Sequence, residues 1–287
     1  MKPLEFLEPE TLEEACSLIA KHKDEARLIS SGQSLIPMLQ QRLITPAYLI
    51  SIRNLPGLDY IKESADGLRI GALATQRSVE MSEVVRRKLP LLAEAVHAVG
   101  TVQIRNWGTI GGSLAEADPT GDPPPALLAL GARVKAKSIR GEREIPLSEF
   151  FVDYLQSSLE PDEILTEIIV PYPPPKTGGA YIKDVVRAGD TGIVTVAALV
   201  TLNGGRKVKE ARIVLGCQST TPLRALKAEK AAAGKRPGDS LDDVIAAAQA
   251  DSDPAPDVLG SVEYKSYLAG IRTRDALRLA ISRAIAS

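Results

Sequence analysis

Two short segments of small residues carry the strongest sign of chemistry in this sequence. The first is Ser30-Ser31-Gly32-Gln33-Ser34, which follows an apolar run, and the second is Gly108-Thr109-Ile110-Gly111-Gly112-Ser113. Both combine backbone N–H groups and hydroxyls with almost no bulk, which lets a main chain approach a phosphate closely. Either segment alone is a weak signal, because a Gly-Gly pair is usually an ordinary turn. Together they predict a bound diphosphate.

Few other residues have the types and spacing for catalysis or metal binding. Cys16 and Cys217 are too few for a simple iron–sulfur cluster or a zinc ribbon, and His22 and His97 stand alone on predicted helices. No glycine loop has the P-loop or Rossmann spacing, and no serine lies in a nucleophile elbow. We therefore predict no catalytic residue and no metal site in this chain, and a bound redox cofactor that supplies the chemistry.

The elements that would position the first segment follow from capping and periodicity. A capping box at Thr11 begins a helix that ends near Lys21, and its apolar face places Cys16 in the core. A strand at residues 27–29 then delivers the segment to a sheet edge, where its amides and the Ser34 hydroxyl can converge on an anion. Further strands are predicted at residues 48–52, 67–73, 132–137, 142–145 and 164–170, helices at 78–85 and 90–99, and a short buried helix or strand at 126–130.

A stretch rich in proline and glycine, residues 171–179, is typical of an extended connector between domains. Beyond it we predict strands at residues 180–186, 194–203 and 208–215 and helices at 223–233, 241–250 and 263–286. The chain is therefore α+β. Its predicted domains are residues 1–175, with parts at about 1–53 and 54–175, and residues 176–287.

Composition limits the partners and the compartment. The 287 residues include 35 basic and 36 acidic side chains, so no global field attracts nucleic acid or an acidic membrane. No apolar run is long enough for a membrane span, and the N-terminus has no secretion signal. These features predict a cytoplasmic protein.

Several ordered motifs carry a family resemblance. They are Ser-Gly-Gln-Ser-Leu-Ile-Pro-Met at residues 31–38, Gly-Thr-Ile-Gly-Gly-Ser-Leu at 108–114 and Ala-Asp-Pro-Thr-Gly-Asp at 117–122, with Tyr181-Ile182-Lys183, Arg187 and Gly189-Asp190 further on. This pattern resembles the FAD-binding medium subunit of the molybdenum hydroxylases of the carbon monoxide dehydrogenase and xanthine dehydrogenase type. The resemblance implies a two-subdomain FAD-binding fold of the vanillyl-alcohol-oxidase (PCMH) type. A small CO dehydrogenase flavoprotein C-terminal-like domain, with a three-stranded antiparallel sheet and helices, would follow.

The resemblance also implies which residues bind FAD. Residues 29–36 and 109–113 would hold the diphosphate through amides and hydroxyls, Asp122 would contact the adenosine side, and Leu165 and residues 190–193 would approach the flavin. A bulky β-branched residue at Gly111 is then expected to abolish FAD retention while leaving the chain folded. The full implied set is Ile29, Ser30, Ser31, Gly32, Gln33, Ser34, Leu35, Ile36, Thr109, Ile110, Gly111, Gly112, Ser113, Asp122, Leu165, Lys183, Asp190 and Ile193.

The same resemblance implies that the chain is an electron-transfer subunit of a molybdenum hydroxylase. Electrons would leave a substrate at the molybdenum cofactor of a large subunit, pass the 2Fe-2S clusters of a small one, and reach an acceptor such as NAD+ through FAD, in an (LMS)2 assembly. A quinone or oxygen as acceptor stays open. So do two other functions, a self-contained flavin oxidase and a flavin-free assembly protein. Arg105 would neutralise a diphosphate or form a surface ion pair, and Trp107 would pack under the second segment or face a partner.

Overall fold

The N-terminal part of the chain is a small parallel α/β unit. Our computed structural model describes residues 4–287, so residues 1–3 of the predicted first domain lie outside the described residues. The central strand of this unit pairs in parallel with the other two. The predicted helix start is confirmed, because the Thr11 hydroxyl accepts a hydrogen bond from the Glu14 amide at 3.1 Å, and Cys16 is buried as expected. The elements are β1 (Glu5–Leu7), α1 (Leu12–His22), β2 (Ala26–Ile29), α2 (Leu35–Gln40) and β3 (Tyr48–Ser51).

A five-stranded antiparallel sheet with a block of helices follows. The helices form the connection between the second and third strands of this sheet in chain order. Leu68 and Ile70 of the sheet share one core with Leu92 and Leu127 of the helices. The elements are β4 (Ile61–Ser64), β5 (Gly67–Gly71), α3 (Gln76–Met81), α4 (Glu83–Lys88), α5 (Pro90–His97), α6 (Val102–Trp107), α7 (Ile110–Glu116), α8 (Pro123–Ala129), β6 (Arg133–Ser138), β7 (Gly141–Pro146), β8 (Phe151–Asp153), β9 (Gln156–Ser157) and β10 (Ile164–Val170). The strand order in the sheet is β4-β5-β10-β6-β7.

Two segments of this block differ from the sequence prediction. Residues 78–85 belong to two helices rather than one, because Ser82 is extended (φ −64°, ψ 121°) and caps α4 with its hydroxyl. The second small-residue segment is not a free loop. Thr109 caps α7, and its hydroxyl accepts a hydrogen bond from the Gly112 amide at 3.1 Å. Helices of six or seven residues span at most two turns, so apolar periodicity cannot reveal them.

The C-terminal part is a four-stranded antiparallel sheet backed by helices. The second and third of its long strands lie where they were predicted, but the first begins at Thr177, inside the stretch predicted as a connector, and ends at Asp184. A two-residue strand is added at one edge. The long last helix packs across the first two strands and encloses a second core with them. The elements are β11 (Thr177–Asp184), β12 (Val194–Leu202), β13 (Val208–Gly216), β14 (Leu223–Arg224), α9 (Leu226–Ala232), α10 (Asp242–Asp251) and α11 (Val262–Ala286). The predicted α+β class is confirmed.

None of the helices in residues 4–287 combines the length and the apolar character that crossing a membrane would require.

Candidate functional site

A cleft of about 720 Å³ lies where the N-terminal sheet, α7 and the first strand of the C-terminal sheet meet. The two small-residue segments form neighbouring parts of its wall, and the hydroxyls of Ser30 and Thr109 hydrogen-bond across them at 3.1 Å. Most residues of the predicted set line this cleft. They are Ile29, Ser30, Ser31, Gly32, Gln33, Ser34, Leu35, Thr109, Gly111, Gly112, Ser113, Asp122, Leu165, Lys183 and Asp190.

Three residues of the predicted set do not line the cleft. Ile36 is 43% exposed on α2, Ile110 is fully buried, and Ile193 is buried in the core of the C-terminal sheet. Their backbone N–H groups cannot serve a ligand either, because they donate hydrogen bonds to Gly32 O, Ala74 O and Asp184 O respectively. A motif gives the order of residues but not the side of the chain that faces a ligand.

The first segment offers main-chain donors at the cleft wall. No acceptor among residues 4–287 receives a hydrogen bond from the N–H groups of residues 31–35. The backbone turns at Gly32, whose φ of +73° is a conformation that glycine adopts without steric cost. Successive amides without a protein partner are a common means of binding an anion. This part of the cleft is therefore suited to a phosphate.

The amides of the second segment are already used, which corrects the predicted mode of binding. Residues 110–113 donate to Ala74 O, Ala72 O, Thr109 Oγ1 and Thr109 O, in that order, at 2.9 to 3.1 Å. The reason is that this segment is the first turn of a helix that docks on the end of β5. What it can offer a ligand is therefore hydroxyl groups, from Thr109 and Ser113, and a surface without side-chain bulk.

The paired glycines of the second segment have different neighbours. A Cβ on Gly111 would lie 2.6 Å from Ala72 Cβ and 2.7 Å from Ala72 O, so this glycine lets α7 lie close to the residue that follows β5. A Cβ on Gly112 would instead lie 2.8 Å from Thr109 Oγ1 and 3.3 Å from Ser30 Oγ, on the cleft side. The expectation that a bulky residue at Gly111 leaves the chain folded is therefore not supported. Gly112 is the glycine that keeps the cleft wall open.

Gln76 is a polar residue of the cleft wall that sequence reasoning missed. It is 4% exposed, and its Nε2 donates to Ser113 Oγ at 2.6 Å. Its Oε1 has no hydrogen-bond partner within residues 4–287. Because Ser113 Oγ accepts from Gln76, its own hydrogen is left for Thr109 O, 3.3 Å away, or for a ligand. Nothing in the sequence links Gln76 to Ser113, since they are 37 residues apart and meet only in the folded chain.

Glu116 is a second residue that the sequence analysis missed. Ser34 Oγ donates to Glu116 Oε2 at 2.6 Å, so the predicted hydroxyl donor of the first segment is engaged by a carboxylate. Burial raises the pKa of Glu116, the hydrogen bond from Ser34 opposes that rise, and the nearby charge of Asp118 adds to it. A clue was present in the sequence, because Glu116 is four residues after Gly112 and so shares its helix face.

Asp122 and Lys183 form a buried ion pair in another part of the wall. Lys183 Nζ lies 2.8 Å from Asp122 Oδ2 and also donates to Ala98 O at 3.0 Å, and the Tyr181 hydroxyl donates to Asp122 Oδ1 at 2.7 Å. Burial raises the pKa of Asp122, against the effect of Lys183 and Tyr181. The observed role of this carboxylate is to bind the start of α8 to β11.

Arg105 and Trp107 have roles outside the cleft. Arg105 is buried, and its Nε donates to Glu80 Oε2 at 2.9 Å, so it forms an ion pair, but a buried one rather than the surface pair considered from the sequence. Trp107 is 47% exposed, and the guanidinium carbon of Arg53 lies 3.9 Å from its ring centroid. Neither residue lines the cleft.

The cleft contains more acidic than basic side chains, so it does not bind a diphosphate mainly through cations. Five carboxylates and two cations line it, namely Glu116, Asp118, Asp122, Glu163 and Asp190 with Arg27 and Lys183. An anion here is therefore held by neutral N–H and O–H groups. Apolar side chains, including those of Ile52, Ile164 and Leu165, form another part of the lining and suit an aromatic ring.

Metal ligands do not cluster in the part of the chain that the structure describes. Among residues 4–287, no three His, Cys, Asp or Glu side chains lie close enough together to hold a metal ion.

Comparisons with known proteins cover nearly the whole chain. Residues 2–173 match the FAD binding domain in molybdopterin dehydrogenase, and residues 180–280 match the CO dehydrogenase flavoprotein C-terminal domain. The subunit alpha of the 6-hydroxypseudooxynicotine dehydrogenase complex of Paenarthrobacter nicotinovorans is 38% identical over 289 residues, which cover 99% of this chain and 97% of the relative. The carbon monoxide dehydrogenase medium chain of Afipia carboxidovorans is 34% identical over 283 residues, 98% of this chain and 97% of the relative.

A solved structure shares the whole architecture. It is the carbon monoxide dehydrogenase from Hydrogenophaga pseudoflava that lacks the Mo-pyranopterin moiety of the molybdenum cofactor. The likeness has a TM-score of 0.94 at 34% sequence identity and covers 98% of both chains. The fold described above is therefore shared with the matched chain over 98% of its length.

Proposed function

Because the chain belongs to the FAD-binding medium subunits of the molybdenum hydroxylase family, we propose that it transfers electrons between a partner subunit and a soluble acceptor. Iron–sulfur clusters of a small subunit would deliver electrons to FAD in this chain, and NAD+ would receive them. The expected family, its two-part FAD-binding fold and its C-terminal sheet are confirmed. NAD+ as acceptor would place the subunit in the cytoplasm.

The donor set of the cleft carries this proposal, because it fits FAD. The main chain of residues 31–35 would bind the diphosphate, with the hydroxyls of Thr109 and Ser113 beside it. The apolar lining around Leu165 would cover the flavin and keep water from it. When bound, FAD supplies the redox chemistry, and the protein contributes position and electrostatics.

The carboxylates of the cleft support electron transfer over a self-contained oxidase. Every one of them accepts a hydrogen bond from the protein, so none is set aside as a general base. The donors are Ser34 to Glu116, Thr120 to Asp118, Lys183 to Asp122, Arg143 to Glu163 and Arg187 to Asp190. The row of free amides argues equally against a flavin-free assembly protein, since such a protein has no use for an anion site.

Partners and domain limits are part of the same proposal. A large subunit with the molybdenum cofactor and a small subunit with 2Fe-2S clusters would complete the enzyme, as an (LMS)2 assembly. One relative is itself a subunit of a dehydrogenase complex, which supports a multi-subunit enzyme. The domains would be residues 1–175, divided near residue 53, and residues 176–287. The matched ranges 2–173 and 180–280 support that division.

The proposal is tested by purifying the chain alone and together with its large and small subunits. We expect the chain alone to hold FAD and to accept electrons from NADH, but to oxidise no organic substrate until both partners are added. Turnover by the isolated chain would favour the self-contained oxidase instead. Release of no flavin on denaturation would favour the assembly protein. Reduction by a quinol but not by NADH would correct the acceptor alone.

A further inference from the structure

The contact between Ser34 and Glu116 places a carboxyl group beside the proposed diphosphate site. Ser34 lies within the row of amides that have no protein acceptor, and its Oγ donates to Glu116 Oε2 at 2.6 Å. Glu116 is the last residue of α7 and lines the same cleft as Gly112, one turn earlier. A carboxyl group thus lies beside the amides that would bind an anion.

An ionised Glu116 would oppose the binding of a diphosphate in two ways. Two negative charges in a partly buried site repel each other more strongly than they do in water. In addition, a serine hydroxyl has a single hydrogen to donate, so Ser34 cannot serve the carboxylate and a phosphate oxygen at once. A neutral carboxylic acid removes both conflicts, because it carries no charge and has an O–H donor of its own.

No charged group in the elements packed around Glu116 stabilises the negative charge of its ionised form. Asp118, in the turn that follows α7, adds a negative charge. The helix α8 and the strand β9, which pack on α7, contain no charged residue. The packed strand β10 contributes Glu167, which is held by Tyr60, Arg69 and Lys135. Of the cleft cations, Arg27 donates to the carbonyls of Asp24 and Ala26, and Lys183 is paired with Asp122.

We propose that Glu116 binds the diphosphate of FAD as its neutral acid, with its O–H donating to a phosphate oxygen, so that FAD binding takes up one proton from solvent. The inference rests on the FAD-binding part of the proposed function and not on the electron acceptor. Burial and Asp118 raise the pKa of Glu116 even before a diphosphate adds its own charge, which reduces the cost of protonation.

The test measures FAD affinity of the full chain, after removal of its flavin, by flavin fluorescence from mildly acidic to mildly alkaline pH. If binding takes up a single proton, the affinity for FAD should fall by up to about tenfold per pH unit once the pH exceeds the pKa of Glu116 in the flavin-free chain. Calorimetry in buffers of different ionisation enthalpy should report the same proton uptake directly. Glu116→Gln keeps a permanent N–H donor, so it should bind FAD without this pH dependence and more tightly than the wild type at alkaline pH.

Two further variants separate this role from a structural one. Ser34→Ala removes the hydrogen bond that favours ionised Glu116, so the fall in affinity should begin at a higher pH. Glu149→Gln changes an exposed carboxylate outside the cleft and should keep the wild-type dependence. A wild-type affinity that does not change with pH, or an unchanged slope in Glu116→Gln, would overturn the inference while FAD binding stands. Failure of the wild-type chain to bind FAD at any pH would overturn the proposed function instead.

Discussion

Lys183 Nζ lies 2.8 Å from Asp122 Oδ2, and this ion pair joins the first strand of the C-terminal sheet to the start of α8. Their side chains are 10% and 5% exposed, so the pair is shielded from solvent. Both the FAD-binding part and the C-terminal part of the chain therefore form the cleft wall, since each contributes one residue to this ion pair.

Removing one partner of this pair should destabilise the fold strongly. Lys183→Met leaves Asp122 buried with Tyr181 as its remaining side-chain donor, and we expect a loss of about 3–5 kcal/mol in the free energy of unfolding. Denaturant titration measures it. Arg187→Met is the matched control, because Arg187 is 83% exposed beside Asp190, and such a pair contributes about 0–1 kcal/mol. Equal, small losses in the free energy of unfolding of both variants would show that the buried pair does not stabilise the contact between β11 and α8.

The two neighbouring glycines of α7 should respond differently to alanine. Gly111→Ala places a Cβ within 3 Å of the Ala72 backbone, so we expect a loss of roughly 1–3 kcal/mol in stability from overpacking. Gly112→Ala disturbs only the Thr109 cap and the cleft wall, so we expect a loss of about 1 kcal/mol in stability. FAD affinity should nevertheless fall in Gly112→Ala by about tenfold, equivalent to 1.4 kcal/mol.

Thermal unfolding and FAD titration of both glycine variants check this contrast. A Gly112→Ala protein that binds FAD as tightly as the wild type would mean that the open wall at Gly112 does not face the cofactor.

The buried carboxylate of Glu80 should make the stability of the fold decrease at acidic pH. Burial opposes its ionisation, but hydrogen bonds from His97, Arg105 and Arg77 outweigh burial and lower the pKa of Glu80 from 4.5 to about 2. The pKa of Glu80 is lower in the folded protein than in the unfolded chain. Ionised Glu80 therefore adds its full contribution to the free energy of unfolding above pH 4.5, and this contribution is lost as the pH falls towards 2.

Glu80→Gln tests this arrangement. It leaves Arg105 buried without its anionic partner, so we expect a loss of about 3–5 kcal/mol at neutral pH. The difference from the wild type, measured by urea titration at a series of pH values, should shrink below pH 4.5. A difference that stays constant across that range would contradict the role assigned to the ionised carboxylate.

Local chemistry made much of the site predictable. Residues 27–34 combine a short apolar run, Leu28-Ile29, with small turn residues, and the structure forms a strand there, followed by a turn whose amides have no protein acceptor. Tertiary contacts decided the rest. The amides of residues 110–113 are used because α7 docks on β5, and Glu116 and Gln76 acquire their roles only beside Ser34 and Ser113. Spacing places Glu116 on the helix face of Gly112, but it does not predict the contact of Glu116 with Ser34 or that of Gln76 with Ser113.

The central claim is that the main chain of residues 31–35 binds the diphosphate of FAD, and amide hydrogen exchange tests it most directly. Exchange is followed by mass spectrometry on the full chain with and without FAD. We predict that FAD slows exchange at residues 31–35, whose N–H groups have no acceptor within residues 4–287, and changes little at residues 110–113, which are already hydrogen-bonded. Unchanged exchange at residues 31–35 under saturating FAD would contradict the account.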